Sequence, residues 1–213
     1  MDEEKIFITP NGVLLPNENM PLPDIRERYG LDRFILTVSR IEPRKNHQML
    51  LKAYVDLKLY DQGIKLVMVG VKDLANNAFN DYYNRLSDKI KEHILIKQMN
   101  YDELIALYKA ADLFVFPSFA EGFGIPPIEA IALGCTTLCS NTTAMADFDF
   151  LDDKLFSPYD IEELKRKMLF YLNHNDEKIA EEQHIIRQRY NWNNIAEKLY
   201  GYISCISNDS HSK

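Results

Sequence analysis

The chain has 213 residues, 46% of them apolar and 27% charged, with 25 basic against 32 acidic side chains and a formal charge of −7. This is the composition of a globular protein with a sizeable core, and the acidic balance disfavours a nucleic-acid surface, which needs a basic stripe. The acidic N-terminus MDEEKIF is unlike a secretory signal, and no apolar run approaches the roughly 18–20 residues of a membrane span, so a cytoplasmic location is expected.

Residues 1–30 are proline-rich, with one short β run, IFIT, before a Pro-Asn-Gly turn, and read as a linker-derived segment between domains. The fold is expected from residue 31 onward. FILTVS (34–39) is a strand, followed by a helix-period stretch over 46–60 for which Asn46 is a plausible cap. IKLVMVG (64–70) is the next strand, followed by a polar helix from about Asn77 to Lys91 and a third strand, HILIKQ (93–98). Asn100 caps the helix YDELIALYKAA, and DLFVFPS (112–118) is apolar throughout, as a strand covered on both faces should be.

A helix from Pro126 or Pro127 to Gly134 and a fifth strand, CTTLCS (135–140), complete the alternation. From about residue 160 the pattern is helical through 206, and 207–213 read as a frayed polar tail. The alternation predicts an α/β fold: a Rossmann-like open parallel sheet with helices on both faces. Cys135, Cys139 and Cys205 are few and odd in number. Without a zinc set around them, they read as buried, reduced thiols.

Open parallel sheets bind ligands beyond the C-terminal ends of their strands, which makes those ends the candidate list. Arg40, Arg44 and Lys45 follow the first predicted strand, Lys72 and Asp73 the second, Gln98 and Met99 the third, and Glu121-Gly122-Phe123-Gly124 the fourth. Three cations in an acidic chain suit a diphosphate, although a solvated run balanced by Glu42 accounts for the same residues. The glycines permit close backbone approach to an anion, or serve only a tight strand-to-helix turn. Glu129 lies early in an apolar helix, where dipole stabilisation explains it or, if it is buried, a partner is required. GxGxxG and GxxxxGK[ST] are both absent, against a dinucleotide oxidoreductase or P-loop NTPase.

Taken in order, "ITPNGV", "VSRIEPRKNHQMLLKAY", "YDELIALYKAADLFVFPS", "FAEGFGIPPIEAIALG", "LFSPYD" and "YNWNNIAEKL" resemble the retaining GT-B glycosyltransferases of the family 4, or group 1, type. The resemblance implies the C-terminal, donor-binding half of a two-domain enzyme that moves a hexose from a nucleotide-diphosphate sugar, UDP- or GDP-linked, to a glycan or lipid-linked acceptor. It implies no further cofactor and no metal. Arg40, Lys45 and Glu121 would be the catalytic residues, the two cations on the diphosphate and Glu121 toward the sugar. Glu129 would take the ribose hydroxyls, with Gly122, Phe123, Gly124 and Ile125 near sugar and phosphate, and Gln98 and Met99 toward the base. His47 would cap or pack.

Two positions depart from the family pattern: Gln98 replaces a usual glycine, and Ala146-Asp147 a common Pro-Glu pair. The RIEPRKN wording suggests GDP-mannose. An acceptor domain outside these residues, and membrane contact through it, would complete the enzyme; this chain alone is expected to be inactive. A non-catalytic nucleotide-binding or interaction module is the alternative.

Overall fold

The computed structural model describes residues 7–13, 16–17, 20–71 and 77–210, with the side chains of Asn77 and of residues 205–210 outside that description. The helix α1 (Ile25–Tyr29) precedes β1 (Arg33–Val38), α2 (His47–Asp56) and β2 (Ile64–Val69). Then come α3 (Asn77–Arg85), α4 (Asp88–Lys91), β3 (Ile94–Lys97), α5 (Tyr101–Ala110), β4 (Leu113–Phe116) and α6 (Ile125–Ala132). The last elements are β5 (Thr137–Ser140), β6 (Leu155–Phe156), α7 (Ile161–Asn173), α8 (Ile179–Arg189) and α9 (Trp192–Ser210).

The described strands form one parallel sheet of six in the order β3-β2-β1-β4-β5-β6. Strand apolarity is continuous because both faces are covered. Successive side chains alternate, so Phe34, Leu36, Phe114 and Phe116 enter one core while Ile35, Leu113 and Val115 enter the other. Each such buried side chain contributes roughly 1.5–3 kcal/mol of apolar burial. The chain's path reverses between β1 and β4, which places the topological switch point there.

Several local expectations need amendment. A sixth strand, β6, joins the sheet through only two paired positions, Cys139 with Leu155 and Ser140 with Phe156. Of the run IFIT, Ile6 lies outside the described residues and Phe7–Thr9 form no strand. The polar helix over 77–91 is two helices, separated at Leu86 and Ser87. Within the first thirty residues, α1 is capped by Asp24 and closed by Gly30, and it buries Ile25. Further upstream, Val13 N–H donates to the Tyr190 carbonyl at 2.9 Å.

Asn46 does not cap α2 through its side chain. Its backbone is left-handed (φ 52°), a conformation Asn tolerates, and its amide instead donates to the Pro158 carbonyl at 3.0 Å. Asn100 caps α5 as expected, reciprocally with Glu103. The tail differs too: α9 continues to Ser210, and residues 211–213 lie outside the described residues. Cys135 and Cys139 are buried free thiols, while the side chain of Cys205 is outside the description. Among the described residues no helix is long and apolar enough to cross a membrane.

Candidate functional site

The loops after β1 and β4 meet across the switch point. Pro43–Lys45 form a single 3-10 turn, and the left-handed Asn46 then turns the chain into α2. This geometry sends two consecutive cations toward the β4 loop. Lys45 Nζ lies 2.6 Å from Glu121 Oε1, and Arg44 Nη1 lies 3.0 Å from Glu121 Oε2. The Ser118 hydroxyl donates to Glu121 Oε1 at 2.6 Å. The pair is largely shielded, with the Lys45 side chain 13% and the Glu121 side chain 10% exposed, whereas Arg44 is 48% exposed. Burial alone would raise the Glu121 carboxyl, but Lys45, Ser118 and Arg44 outweigh it and hold the group below the ordinary glutamate value.

Arg44 reaches further than the sequence suggested. Its Nη1 also donates to the Ala120 carbonyl at 2.6 Å and its Nη2 to Glu42 Oε1 at 2.9 Å. Its own carbonyl accepts from Phe119 N–H at 2.9 Å. Glu42 therefore balances Arg44 alone, not the whole basic run. Of the three cations in the run, Arg44 and Lys45 are thus both engaged with carboxylates, Arg44 at more points than Lys45.

The turn beyond Glu121 is propped from β5. Glu121 N–H donates to Thr143 Oγ1 at 2.9 Å, and the Thr142 hydroxyl donates to the Phe119 carbonyl at 2.9 Å. Gly122 is exposed, and Phe123 sets its ring edge-on to Tyr190 at 5.6 Å. Gly124 has φ 92°, and a Cβ there would lie 3.1 Å from Phe148 and 3.2 Å from Met145. Both the conformation and the space call for glycine. The N-terminus of α6 follows, with no side-chain cap, Ile125 41% exposed, and prolines next that offer no N–H.

Glu129 lies past the first turn of α6, with its Oε2 accepting from the Tyr108 hydroxyl at 3.1 Å. Burial raises its carboxyl above the ordinary value, and the Tyr108 hydrogen bond offsets only part of that. Tyr108 is raised well above its usual range by burial and by this carboxylate. The Glu129 site thus holds a carboxyl with spare acceptor capacity and, among the described residues, no cation against it, unlike Glu121.

Arg40 stands apart. It is exposed, and among the described residues its side chain has no hydrogen bond or ion pair. It borders a hollow of about 520 Å³ shared with Val38, Gly70, Gln98 and Met99. The floor of this hollow is tight, since a Cβ on Gly70 would come 2.0 Å from the Ser39 carbonyl. Gln98 is exposed and Met99 half-buried at its rim, while Lys72 and Asp73 lie outside the described residues.

His47 is buried, with Nε2 3.1 Å from Ser39 Oγ and its ring edge-on to Phe79, in keeping with a packing role. Burial first, then the nearby Lys45, lowers its pKa to about 3. The geometry therefore joins Lys45 to Glu121 and leaves Arg40 with Gln98 and Met99 at a separate hollow. Ser118, Tyr108, Thr142 and Thr143 were missed. Ser118 alone carried a signal, being a hydroxyl at the end of an apolar strand.

An open parallel sheet with a polar cluster at its switch point has the site geometry of Rossmann-like α/β domains. Residues 23–192 match the model of the family described as glycosyl transferases group 1, and the chain belongs to that family. It is 35% identical over 152 residues to the serotype-specific mannosyltransferase WbdA of Escherichia coli, covering 69% of this chain and 18% of that protein. It is 32% identical over 138 residues to the O-antigen chain mannosyltransferase B of Escherichia coli, 62% of this chain and 34% of that one. The chain thus spans well under half the length of these relatives.

Among solved structures, sucrose-phosphate synthase from Thermosynechococcus elongatus superposes with a TM-score of 0.76 at 21% identity, over 94% of this chain and 52% of that one. TarM of S. aureus, determined in complex with UDP among other ligands, gives 0.74 at 19%, over 95% and 40%. The fold is that of the GT-B glycosyltransferases.

Proposed function

We propose that this chain is the donor-binding domain of a retaining glycosyltransferase that takes a hexose from a nucleotide-diphosphate sugar. The observation that carries the reading is the Lys45–Glu121 pair at the switch point. The unpaired Arg40 and the lone carboxyl of Glu129 flank it in sequence. In this reading Arg40 and Lys45 take the diphosphate and stabilise the departing nucleotide, the charge role a metal fills elsewhere. Glu121 faces the transferred sugar, with the backbone of Gly122, Phe123, Gly124 and Ile125 beside it. Glu129 accepts from ribose hydroxyls, and Gln98 and Met99 border the hollow for the base.

The mannosyltransferases among the relatives support mannose and a product in surface-polysaccharide synthesis, while GDP as its carrier rests on the RIEPRKN wording. A separate acceptor domain supplies the opposite wall of the cleft, and this chain alone transfers no sugar at ordinary enzyme rates.

Calorimetric titration with UDP, GDP and ADP tests the donor site. Binding of one of them is expected, and the double variant Arg40→Ala/Lys45→Ala should weaken it by about tenfold or more, as loss of charge-assisted contacts requires. No binding by any nucleotide, or equal binding by the variant, rejects the reading. Sugar transfer by the isolated chain would reject the claim about the acceptor wall only.

A further inference from the structure

If Lys45 is to hold a diphosphate, it must first leave the carboxylate it already holds. Its described contacts are few: the ion pair to Glu121 at 2.6 Å and a position 5.4 Å above the Phe116 ring. A lysine is a point charge on a flexible stem, so it can turn. Glu121 cannot follow, because its backbone is tied to Thr143 and its carboxylate is nine-tenths shielded. Without Arg44, the deserted carboxylate would keep only Ser118 and be a nearly unpaired buried charge, which is costly.

Arg44 is the group built for that moment. Its planar fork is anchored at three points on two loops: Glu42, the Ala120 carbonyl and Glu121 Oε2. We propose that Arg44 is a positioning residue that serves as the reserve counter-ion of Glu121, holding that carboxylate in place while Lys45 turns to an incoming diphosphate. Arg44 itself does not touch the donor; it lowers the cost of releasing Lys45. The two neighbouring cations thus divide the work, one fixed and one movable. This rests on the reading of the cleft as a nucleotide-diphosphate site and adds a role that the site's charge count alone does not give.

A double-mutant cycle separates this from a direct phosphate contact or a general packing role. GDP and UDP are titrated calorimetrically into the full chain, as the wild type, Arg44→Met, Glu121→Gln and the combined variant. Arg44→Met should lower the affinity by about tenfold in the wild-type background, equivalent to ~1.4 kcal/mol. With Glu121→Gln present, Lys45 is no longer retained, and the same change should cost less than about twofold.

Arg44→Lys keeps the charge beside Glu121 and should recover most of the loss. Should Arg44→Met fail to fold, judged by its melting curve, Arg44→Gln takes its place in the cycle. Equal losses in both backgrounds, no loss in the wild-type background, or an Arg44→Lys variant as weak as Arg44→Met each overturn the proposal. A wild-type chain that binds neither nucleotide overturns the donor-site reading itself, a result distinguishable from a missing coupling.

Discussion

Two of the charge clusters in this domain, one at the switch point and one around Lys154, are built oppositely. At the switch point two cations, Lys45 and Arg44, share the carboxylate of Glu121, while Arg44, half in solvent, also pairs with Glu42. Behind β6 one cation, Lys154, holds two carboxylates, 2.5 Å from Asp176 Oδ2 and 2.6 Å from Glu182 Oε1. None of those three side chains is more than 5% exposed. With Glu42 against Arg44 the first cluster is balanced in charge, but it has an open side and a movable lysine, so an anion can draw a cation from it. The second is sealed and in excess negative, so no anion is invited. Burial raises the Glu182 carboxyl and its Oε2 has no hydrogen-bond partner among the described residues, so the arrangement fastens the segment before β6 to α8 at an electrostatic cost.

Removing the central lysine from each cluster should break the symmetry between them. Lys154→Met strands two buried carboxylates and should lower stability by about 3–5 kcal/mol, read from chemical denaturation at pH 7. A loss near zero would mean that water or protonation relieves the sealed cluster. Lys45→Met leaves Glu121 with Arg44 and Ser118, so the carboxylate keeps a counter-ion and the loss in the same measurement should be well below that of the Lys154 variant. Its effect belongs instead to nucleotide affinity. A Lys45 variant as unstable as the Lys154 variant would erase the distinction between a poised and a sealed cluster.

Glu129 provides a smaller test, because among the described residues no cation pairs with its carboxyl. Its folded pKa is raised above the unfolded value, so its contribution to stability is lost as pH rises through that window. Glu129→Gln should therefore raise the melting temperature at pH 7 by about 2–4 °C, while the difference vanishes below about pH 4. The same variant should weaken nucleotide binding. Glu121 has the opposite sign: its folded pKa is lowered, so its stabilisation is present above the ordinary glutamate value and fades as pH falls through the lowered one.

The sheet could be read from the sequence where strands are long and apolar on both faces, as in IKLVMVG and DLFVFPS. It could not be read at β6, where two paired residues leave no periodicity to detect. Helical period carried straight across Leu86 and Ser87, so the break between α3 and α4 was invisible. Asn46 has the composition of a cap, but its side chain is recruited by Pro158, 112 residues away. The site behaved similarly. Strand ends identified Glu121, Lys45 and Gln98, yet the closure of Lys45 on Glu121 spans 76 residues, and the Tyr108 contact to Glu129 joins two separate helices. Pairings of that range follow from the order of the strands, which residue spacing does not encode.

One consequence of the buried imidazole of His47 concerns the acidity of the surroundings. A histidine on the turn that follows Lys45 would ordinarily gain a proton near pH 6.5 and change the local charge. Here burial and the neighbouring ammonium keep the ring neutral down to about pH 3. The basic loop consequently carries the same charge throughout the range in which cells drift. Nucleotide affinity should be flat between about pH 5.5 and 7.5 as far as this ring is concerned. The unfolded chain takes up that proton first, so acidification below about pH 6.5 erodes the stability of the fold while leaving the tuning of the loop untouched.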